Sequence, residues 1–242
     1  MQFYFIRHGQ SENNLLWALT GSWEGRSEDP GLTPLGRKQA GKLAKFLAQP
    51  GRLPTSPGRL YDPLNVGGFG LTHLYCSLMV RAVATGTVVA RALDLPLVAW
   101  EDAHEVGGIN RLDTESGERI GMPGPNRAFF ETHYPGLLLP GDLGEEGWWN
   151  RPSEPREQRP VRARRFLDTL IARHGGTTDR VAVISHGGFH NQLLKVILNM
   201  PDTRSLWFAL VNAGITRIDF DQDDTVLQYT NRVDFMPRDW IT

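Results

Sequence analysis

Short apolar runs alternate with amphipathic stretches along this chain, and the alternation predicts an α/β protein. The runs that predict buried strands are 3–6, 71–76, 97–100 and 181–184, with closing strands at 215–220 and 226–229 around an acidic turn at 221–224. Apolar residues at helical spacing predict helices over 35–47, 79–93 and 163–171, and a further helix through 193–197 before Pro201. Strand, loop and helix therefore follow one another as in parallel α/β units.

Residues with known capping preferences mark the ends of these helices. Thr33-Pro34 supplies an N-cap followed by proline at the first helical position, and Pro50-Gly51 ends the same helix. Ser77 predicts the N-cap of the second helix, and Gly175-Gly176 ends the third. The helix boundaries thus have local signals as well as an apolar period.

Two long stretches show neither a strand nor a helix period. Residues 51–70 carry Pro, Gly and Asn, which predicts an exposed connection. Residues 102–160 hold seven of the sixteen prolines, and we interpret them as an insertion that covers the core like a lid. We therefore expect one domain over residues 1–242 with an inserted cap at about 102–160.

The composition narrows the classes of partner. Hydrophobic residues make up 40% of the chain and charged residues 22%, as in ordinary globular proteins. Lys+Arg 26 against Asp+Glu 27 leaves a formal charge of −1, so we expect no nucleic-acid or membrane partner and only a local anion site. The single cysteine, Cys76, forms no internal disulfide, no apolar run reaches the ~20 residues of a membrane span, and the N-terminus lacks signal-peptide features. The sequence predicts a cytoplasmic protein, and no feature indicates an oligomeric state.

Histidine followed by glycine occurs at two of the predicted strand ends. His8-Gly9 follows the first strand and His186-Gly187 follows the strand at 181–184. Parallel strands end at the same edge of a sheet, so the two imidazoles converge in this prediction. Arg81, just inside the helix at a third such exit, adds a planar guanidinium suited to phosphate or carboxylate. Phosphate fits this combination best.

The motifs around these residues resemble those of the histidine phosphatases, also called the phosphoglycerate mutase-like superfamily. Their R-H-G-x-S-x-x-N signature is matched by Arg7, His8, Gly9, Ser11 and Asn14. Their S-x-x-x-R-A-x-x-T pattern is matched by Ser77, Arg81, Ala82 and Thr85, and their S-H-G-G exit by His186. The three motifs occur in the family's order. The resemblance implies a mainly parallel central sheet with helices on both faces, a three-layer sandwich with an inserted cap.

The resemblance also implies a role for each site residue. His8 attacks phosphorus as a neutral imidazole and forms a phosphohistidine, while Glu105 protonates the leaving oxygen and then activates water. The phosphate-binding groups are Arg7, Ser11, Asn14, Arg81 and His186. The partner is a small-molecule phosphate ester, and no metal or other cofactor is required.

The carboxylate assignment has competitors. Glu101, Asp102 and Glu115 lie near Glu105, which we prefer for its place in Ala-His-Glu shortly after a strand. Candidates for contact with the leaving group are Trp148, Trp149, Arg111, Arg119 and Arg127. We assign His73, His133 and His174 to packing or hydrogen bonding.

Three other functions compete with a phosphomonoesterase. His186 and His190, four residues apart, suit a metal site with His8 or Glu105, although the glutamate of H-E-x-x-H is missing. A non-catalytic phospholigand-binding protein is the second. The third is a mutase. The cofactor-dependent mutases of the family carry E-R-H-Y-G at the catalytic acid, whereas residues 105–108 of this chain are Glu-Val-Gly-Gly. Their later Trp-Arg-Arg run has no match in this chain. We favour a phosphatase of a small phosphorylated metabolite.

Overall fold

The computed structural model describes residues 1–51, 62–113, 115–201, 205–221 and 224–242. Residues 52–61, half of the predicted connection at 51–70, and the middle of the predicted acidic turn at 221–224 lie outside the described residues. No helix among the described residues has the length and apolar character needed to cross a lipid bilayer.

A seven-stranded sheet forms the centre of the described structure. Its strands are β1 (Gln2–Arg7), β2 (His73–Cys76), β3 (Leu97–Ala99), β6 (Leu137–Leu138), β7 (Arg180–Ser185), β8 (Ile215–Phe220) and β9 (Thr225–Arg232). They are arranged in the order β6-β3-β2-β7-β1-β8-β9. The first five are parallel to one another, β8 is antiparallel to β1, and β9 is antiparallel to β8. A separate hairpin pairs β4 (Asn110–Leu112) with β5 (Arg119–Gly121).

Helices cover both faces of this sheet, as predicted. They are α1 (Glu12–Thr20), α2 (Pro34–Leu47), α3 (Val80–Leu93), α4 (Arg127–His133), α5 (Gln158–His174) and α6 (Gly187–Ile197). Side chains of a strand alternate between faces, and β1 shows this directly: Tyr4 and Ile6 pack in the cluster that includes α2 and α3, whereas Phe3 and Phe5 pack in the cluster that includes α5 and α6. The α/β three-layer class is confirmed.

The structure differs from the sequence prediction at several elements. Helix α1 was not predicted, because its apolar residues do not form a buried stripe on one face. Leu15, Trp17 and Leu19 are exposed. Ser77 is not an N-cap: Met79 precedes α3, and its backbone N–H donates to Ser77 Oγ instead. Within 102–160, the short elements β4, β5, α4 and β6 lacked a sequence signal, and β6 joins the edge of the central sheet beside β3.

Candidate active site

The carboxyl ends of three neighbouring parallel strands define the site. Strands β2, β7 and β1 lie side by side, and each is followed by a residue of the matched motifs: Ser77, His186 and His8. The imidazole rings of His8 and His186 lie with centroids 5.1 Å apart and planes at 58°. The structure thus brings together two side chains that are distant along the chain.

His8 is buried and held as a neutral imidazole with a defined tautomer. Its Nδ1 lies 2.6 Å from the carbonyl oxygen of Gly9, and Arg81 Nε lies 3.2 Å from its Nε2. A guanidinium nitrogen only donates, so Nε2 accepts, and the ring proton is on Nδ1, where it donates to Gly9. Burial and then the charges of Arg81 and Arg7 lower the pKa of His8 well below its ordinary value. The lone pair on Nε2 is therefore available near neutral pH.

Asp29 holds the other side of the Arg81 guanidinium. Its carboxylate lies 3.3 Å from Arg81 Nη1 and accepts the backbone N–H of Val80 at 3.2 Å. Burial raises the pKa of Asp29 to about 6, while Arg81 and the Val80 N–H act in the opposite direction. Sequence analysis missed Asp29, because Asp29-Pro30-Gly31 has the composition of an ordinary turn.

His186 is buried at the N-cap of α6 and pairs with Ser77. Ser77 Oγ accepts the Met79 N–H at 3.1 Å and lies 3.0 Å from His186 Nε2, and we assign its hydroxyl proton to a hydrogen bond with that nitrogen. The ring proton is then on Nδ1, which is buried without a hydrogen-bond partner among the described residues. Burial and the charge of Arg81 lower the pKa of His186 well below its ordinary value. His186 thus offers a neutral N–H donor.

Arg7 extends from the end of β1 into the same pocket as His8. Its Nη1 donates to the Leu210 carbonyl at 2.6 Å, and its Nε is buried without a hydrogen-bond partner in the described part of the chain. Burial lowers the pKa of Arg7, with the Arg81 charge adding to the effect and Glu105 opposing it. The Arg7 guanidinium therefore keeps N–H groups that can donate to a bound anion.

Ser11 and Asn14 form the capping box of α1 and border the pocket. Asn14 Oδ1 accepts the Ser11 hydroxyl at 3.0 Å and the Nδ2–H of Asn212 at 3.1 Å, and Asn212 also donates to the His8 carbonyl at 3.1 Å. Because Oδ1 is occupied, the Asn14 amide has only its N–H donors for a ligand. The phosphate-binding roles of Ser11 and Asn14 stay predictions, and Asn212 is a supporting residue that the sequence did not indicate.

The Glu105 carboxylate binds backbone N–H groups at the beginning of α6. Its Oε1 accepts the N–H groups of Val106 at 2.8 Å and Phe189 at 2.9 Å, and its Oε2 accepts that of Gly188 at 3.1 Å. A Cβ at Gly188 would lie 2.4 Å from Oε1, so this approach requires glycine at the third position of His186-Gly187-Gly188. Glu105 lines the pocket that contains His8.

The competing carboxylates lie outside this pocket. Glu101 forms a salt bridge with Arg151 at 2.8 Å, and Asp102 accepts the Nε–H of Arg165 at 2.9 Å. Glu115 is exposed near the turn between β4 and β5. Of the acids weighed from the sequence, Glu105 alone is placed next to the histidines.

A buried ion pair supports the segment that carries Glu105. Arg162 on α5 donates to Glu154 at 2.6 Å, and its Nη1 donates to the carbonyls of Asp102 at 2.7 Å and His104 at 3.0 Å. Glu154 in turn accepts the Gly107 N–H at 3.2 Å. These hydrogen bonds hold the backbone on both sides of Glu105, and they fix the position from which its side chain extends.

The pocket has a volume of about 450 Å³. Of the predicted leaving-group contacts, only Arg119 lines it. The assignment was wrong for Trp148 and Trp149, which are buried in the core; Trp149 packs so closely on Gly108 that a Cβ there would lie 2.1 Å from the indole. It was also wrong for Arg127, which donates to the Leu143 carbonyl at 2.8 Å, and for Arg111, which is exposed outside the pocket.

The histidines of the metal alternative have separate partners. His186 Nε2 pairs with Ser77, whereas His190 Nε2 lies 2.9 Å from Thr216 Oγ1. Among the described residues, the group with metal-ligand geometry is His73, His174 and Asp179, near the amino ends of β2 and β7. Both ring nitrogens of His174 have protein partners, with Asp179 at 2.8 Å and the Tyr75 hydroxyl at 3.1 Å, so this group forms a hydrogen-bond network.

The fold is a three-layer α/β sandwich with a histidine pair at the carboxyl edge of its sheet, and sequence comparison gives the family. The family description "Histidine phosphatase superfamily (branch 1)" matches residues 3–57 and 65–233. The chain belongs to this superfamily and is a phosphoryl-transfer enzyme of the phosphoglycerate mutase-like type.

Relatives with both mutase and phosphatase names match over nearly the whole chain. The 2,3-bisphosphoglycerate-dependent phosphoglycerate mutase 1 of Latilactobacillus sakei subsp. sakei (strain 23K) is 25% identical over 236 residues, 92% of this chain and 91% of the relative. The phosphoserine phosphatase of Entamoeba histolytica, solved with 3-phosphoglyceric acid, has a TM-score of 0.59 at 20% identity and covers 97% of this chain and 98% of its own. Mycobacterial glucosyl-3-phosphoglycerate phosphatase with VO3 has a TM-score of 0.58 at 18% identity, covering 96% and 99%. The two structures support the fold.

Proposed function

We propose that this protein is a metal-independent phosphomonoesterase that hydrolyses a small phosphorylated metabolite through a phosphohistidine on His8. The observation that carries the proposal is His8 Nε2, which accepts the Arg81 Nε–H at 3.2 Å, on a ring 5.1 Å from that of His186 and in a pocket that Glu105 also lines. A nucleophile, two guanidinium groups and a proton carrier are the groups that phosphoryl transfer needs in the absence of a cation.

In the first half-reaction, the phosphate oxygens occupy the space between Arg7, Arg81 and the Nδ1–H of His186, with the Asn14 amide and Ser11 at its border. Arg81 releases Nε2 of His8 and binds the phosphate instead. The Nε2 lone pair then forms the N–P bond while the P–O bond to the leaving group breaks. Glu105 takes up a proton from solvent and, as the general acid, transfers it to the leaving oxygen.

In the second half-reaction, the Glu105 carboxylate accepts a proton from water. The water oxygen attacks phosphorus, and the N–P electron pair returns to His8 Nε2. Inorganic phosphate leaves, and loss of the Glu105 proton to solvent restores the site. The Gly9 carbonyl holds the His8 Nδ1 proton through both steps, which keeps the ring in the reactive tautomer.

A mutase is the second candidate, and the full-length similarity to a phosphoglycerate mutase favours it. A mutase must keep its phosphohistidine away from water while the substrate reorients. The Gly107-Gly108 continuation after Glu105 departs from the E-R-H-Y-G stretch of the cofactor-dependent mutases, which supports hydrolysis over retention. The two functions differ in what happens to the phosphohistidine: a phosphatase hydrolyses it, and a mutase retains it until the substrate has reoriented.

We also propose that residues 102–160 act as a cap within a single domain over 1–242. This segment supplies Glu105 and Arg119 to the pocket, while its strand β6 is part of the central sheet. We further propose that the protein is located in the cytoplasm, and the single, buried thiol of Cys76 supports this location.

A screen of phosphomonoesters tests the proposed function. Each ester is assayed for phosphate release, and 3-phosphoglycerate is assayed for both phosphate release and conversion to 2-phosphoglycerate. His8→Ala should lose activity by several orders of magnitude, whereas His133→Ala, at an exposed histidine of α4, should retain it. Near-normal turnover by His8→Ala would refute the mechanism, and isomerisation that exceeds hydrolysis would establish the mutase.

A further inference from the structure

A cluster of metal-ligating side chains lies away from the active site, at the opposite edge of the sheet. His73 is the first residue of β2, His174 is the last residue of α5, and Asp179 directly precedes β7. One ligand atom from each of the three lies within 4.8 Å of the others. Two imidazoles and a carboxylate form a donor set that suits Zn²⁺. The active-site histidines, His8 and His186, follow the carboxyl ends of their strands instead.

The distances in this cluster are close to those of a tetrahedral zinc site. Asp179 Oδ2 lies 2.8 Å from His174 Nδ1 and 3.9 Å from His73 Nδ1. Bond lengths of about 2.0–2.1 Å to Zn²⁺ place tetrahedral ligand atoms about 3.3–3.4 Å apart, between these two values. The imidazole centroids of His73 and His174 are 4.6 Å apart. Small side-chain rotations therefore bring the three ligand atoms around one ion, and water completes the coordination.

The hydrogen bonds of His174 allow its Nδ1 to become a ligand. A carboxylate only accepts, so Nδ1 donates to Asp179 in the metal-free network. When a metal ion takes the Nδ1 lone pair, the ring proton is on Nε2, 3.1 Å from the Tyr75 hydroxyl oxygen, which accepts it. Metal-ligating histidines usually donate their other ring N–H to an oxygen acceptor in this way. The ring is buried, so it is already oriented toward Asp179.

His73 can release its Nδ1 as well. Thr72 Oγ1 lies 2.9 Å from His73 Nδ1 and 3.3 Å from the Arg180 carbonyl oxygen. The hydroxyl has one proton, and the Arg180 carbonyl is an alternative acceptor for it. The hydroxyl also accepts the Arg180 N–H at 3.0 Å, so its position does not depend on His73. The His73 side chain is 41% exposed, which gives an ion from solvent access to the cluster.

Asp179 supplies the negative charge of the cluster from a fixed position. The hydrogen bond from His174 lowers the pKa of Asp179, so its carboxylate is ionised at neutral pH. Its backbone N–H donates to Thr177 Oγ1 at 3.0 Å, and its carbonyl accepts the Gln2 N–H at 2.8 Å. These bonds hold the backbone of Asp179 at the beginning of β7. The cluster therefore has one anchored anionic ligand and two imidazole ligands.

We propose that His73, His174 and Asp179 form a structural Zn²⁺ site. The bound ion links the end of α5 to the beginnings of β2 and β7. Because the three ligands meet in the folded chain, Zn²⁺ stabilises the fold by mass action. The ion takes no part in phosphoryl transfer, since it lies at the opposite edge of the sheet from His8. The site is independent of the reaction that the active-site pocket catalyses.

Calorimetric titration with Zn²⁺ alone tests the site. His73→Ala and Asp179→Asn should each weaken Zn²⁺ binding by about a hundredfold, since even the partner of a ligand changes metal affinity by about 10–100-fold. His133→Ala, at the exposed histidine of α4, and His8→Ala, in the active site, should bind Zn²⁺ as the wild type does. Mg²⁺ prefers oxygen ligands and should not compete.

Thermal unfolding measures the effect of the ion on the fold. Excess Zn²⁺ should raise the Tm of the wild type and of His133→Ala, and EDTA should reverse the rise. Asp179→Asn keeps an oxygen that accepts the His174 N–H, so it should fold and show no rise in Tm with Zn²⁺. Absence of Zn²⁺ binding by the wild type, binding that either ligand variant leaves unchanged, or a wild-type Tm that Zn²⁺ does not raise would overturn the site. Loss of binding in His8→Ala would also overturn it, because the ion would then lie in the active site.

Discussion

Arg81 donates a hydrogen bond from Nε to Nε2 of His8 at 3.2 Å. The nitrogen assigned to attack phosphorus is thus held by one of the groups assigned to bind the phosphate. A substrate phosphate that takes over the guanidinium frees the lone pair at the same time. Asp29, 3.3 Å from Arg81 Nη1, holds the opposite side of the guanidinium and positions it.

The first prediction is that Asp29 produces an acid limb in the pH profile. Burial raises the pKa of Asp29 from 3.8 to about 6, so the carboxylate is charged above that pH and neutral below it. As pH falls through about 6, Arg81 loses its charged partner and kcat/KM should fall. Asp29→Asn is neutral at every pH and should lower kcat/KM by about tenfold at pH ~7.5, with little effect at pH ~5.

The ionisation of the substrate phosphate near pH ~6 affects both proteins equally. The ratio of wild-type to Asp29→Asn kcat/KM therefore isolates Asp29 and should rise through about pH 6. A ratio that stays constant from about pH 5 to about pH 8 would exclude this role for Asp29.

The second prediction concerns Glu105 and depends on the leaving group. An alkoxide needs a proton as the P–O bond breaks, whereas p-nitrophenolate leaves readily without one. In single-turnover experiments, Glu105→Gln should slow glycerol 3-phosphate by about 10²–10⁴-fold and p-nitrophenyl phosphate far less. Glu101→Gln, at the exposed pair with Arg151, is the matched control. Equal losses on both esters would argue against proton donation by Glu105.

The third prediction is that removing one partner of the buried Arg162–Glu154 pair destabilises the fold strongly. Glu154→Ala leaves a buried guanidinium without its charged partner and should lower the free energy of unfolding by about 3–5 kcal/mol. Glu131→Ala breaks the exposed pair with Arg127 and should cost no more than about 1 kcal/mol. Urea unfolding followed by tryptophan fluorescence measures both. Similar losses for the two variants would contradict the account of this buried pair.

The fourth prediction is that activity does not depend on a divalent cation. The arginines supply the positive charge that a cation provides in other phosphatases. Activity should therefore persist after incubation with EDTA and dialysis. Loss of activity that Zn²⁺ or Mg²⁺ restores would return the assignment to a metal mechanism.

Much of the frame of the site could be predicted because it follows from local patterns. His8 and His186 each lie at the end of an apolar run, and Arg81 follows a third, so parallel pairing of the strands brings them together. Asp29 and Asn212 had no such signal. Each reaches the site from a loop, and the path of a loop depends on tertiary contacts that a sequence period does not encode.

The cap was the least predictable part for the same reason. Trp148 and Trp149 are large apolar residues in a segment without a period, and the sequence offered no way to distinguish core packing from ligand contact. Arg119 and Arg111 differ only in which face of a three-residue hairpin strand they occupy. Helix α1 depends on the capping box of Ser11 and Asn14, which the motif-based interpretation had assigned to phosphate binding.

The most direct test of the account is the identity of the phosphorylated atom. Substrate labelled with ³²P is mixed with enzyme, quenched in alkali within milliseconds, and the phosphopeptide is located by mass spectrometry and ³¹P NMR. Because Nδ1 of His8 is bonded to the Gly9 carbonyl, we predict an acid-labile phosphohistidine at His8 on Nε2, absent in His8→Ala. Label on another residue, label on Nδ1, or turnover with no phosphohistidine in any quench would contradict it.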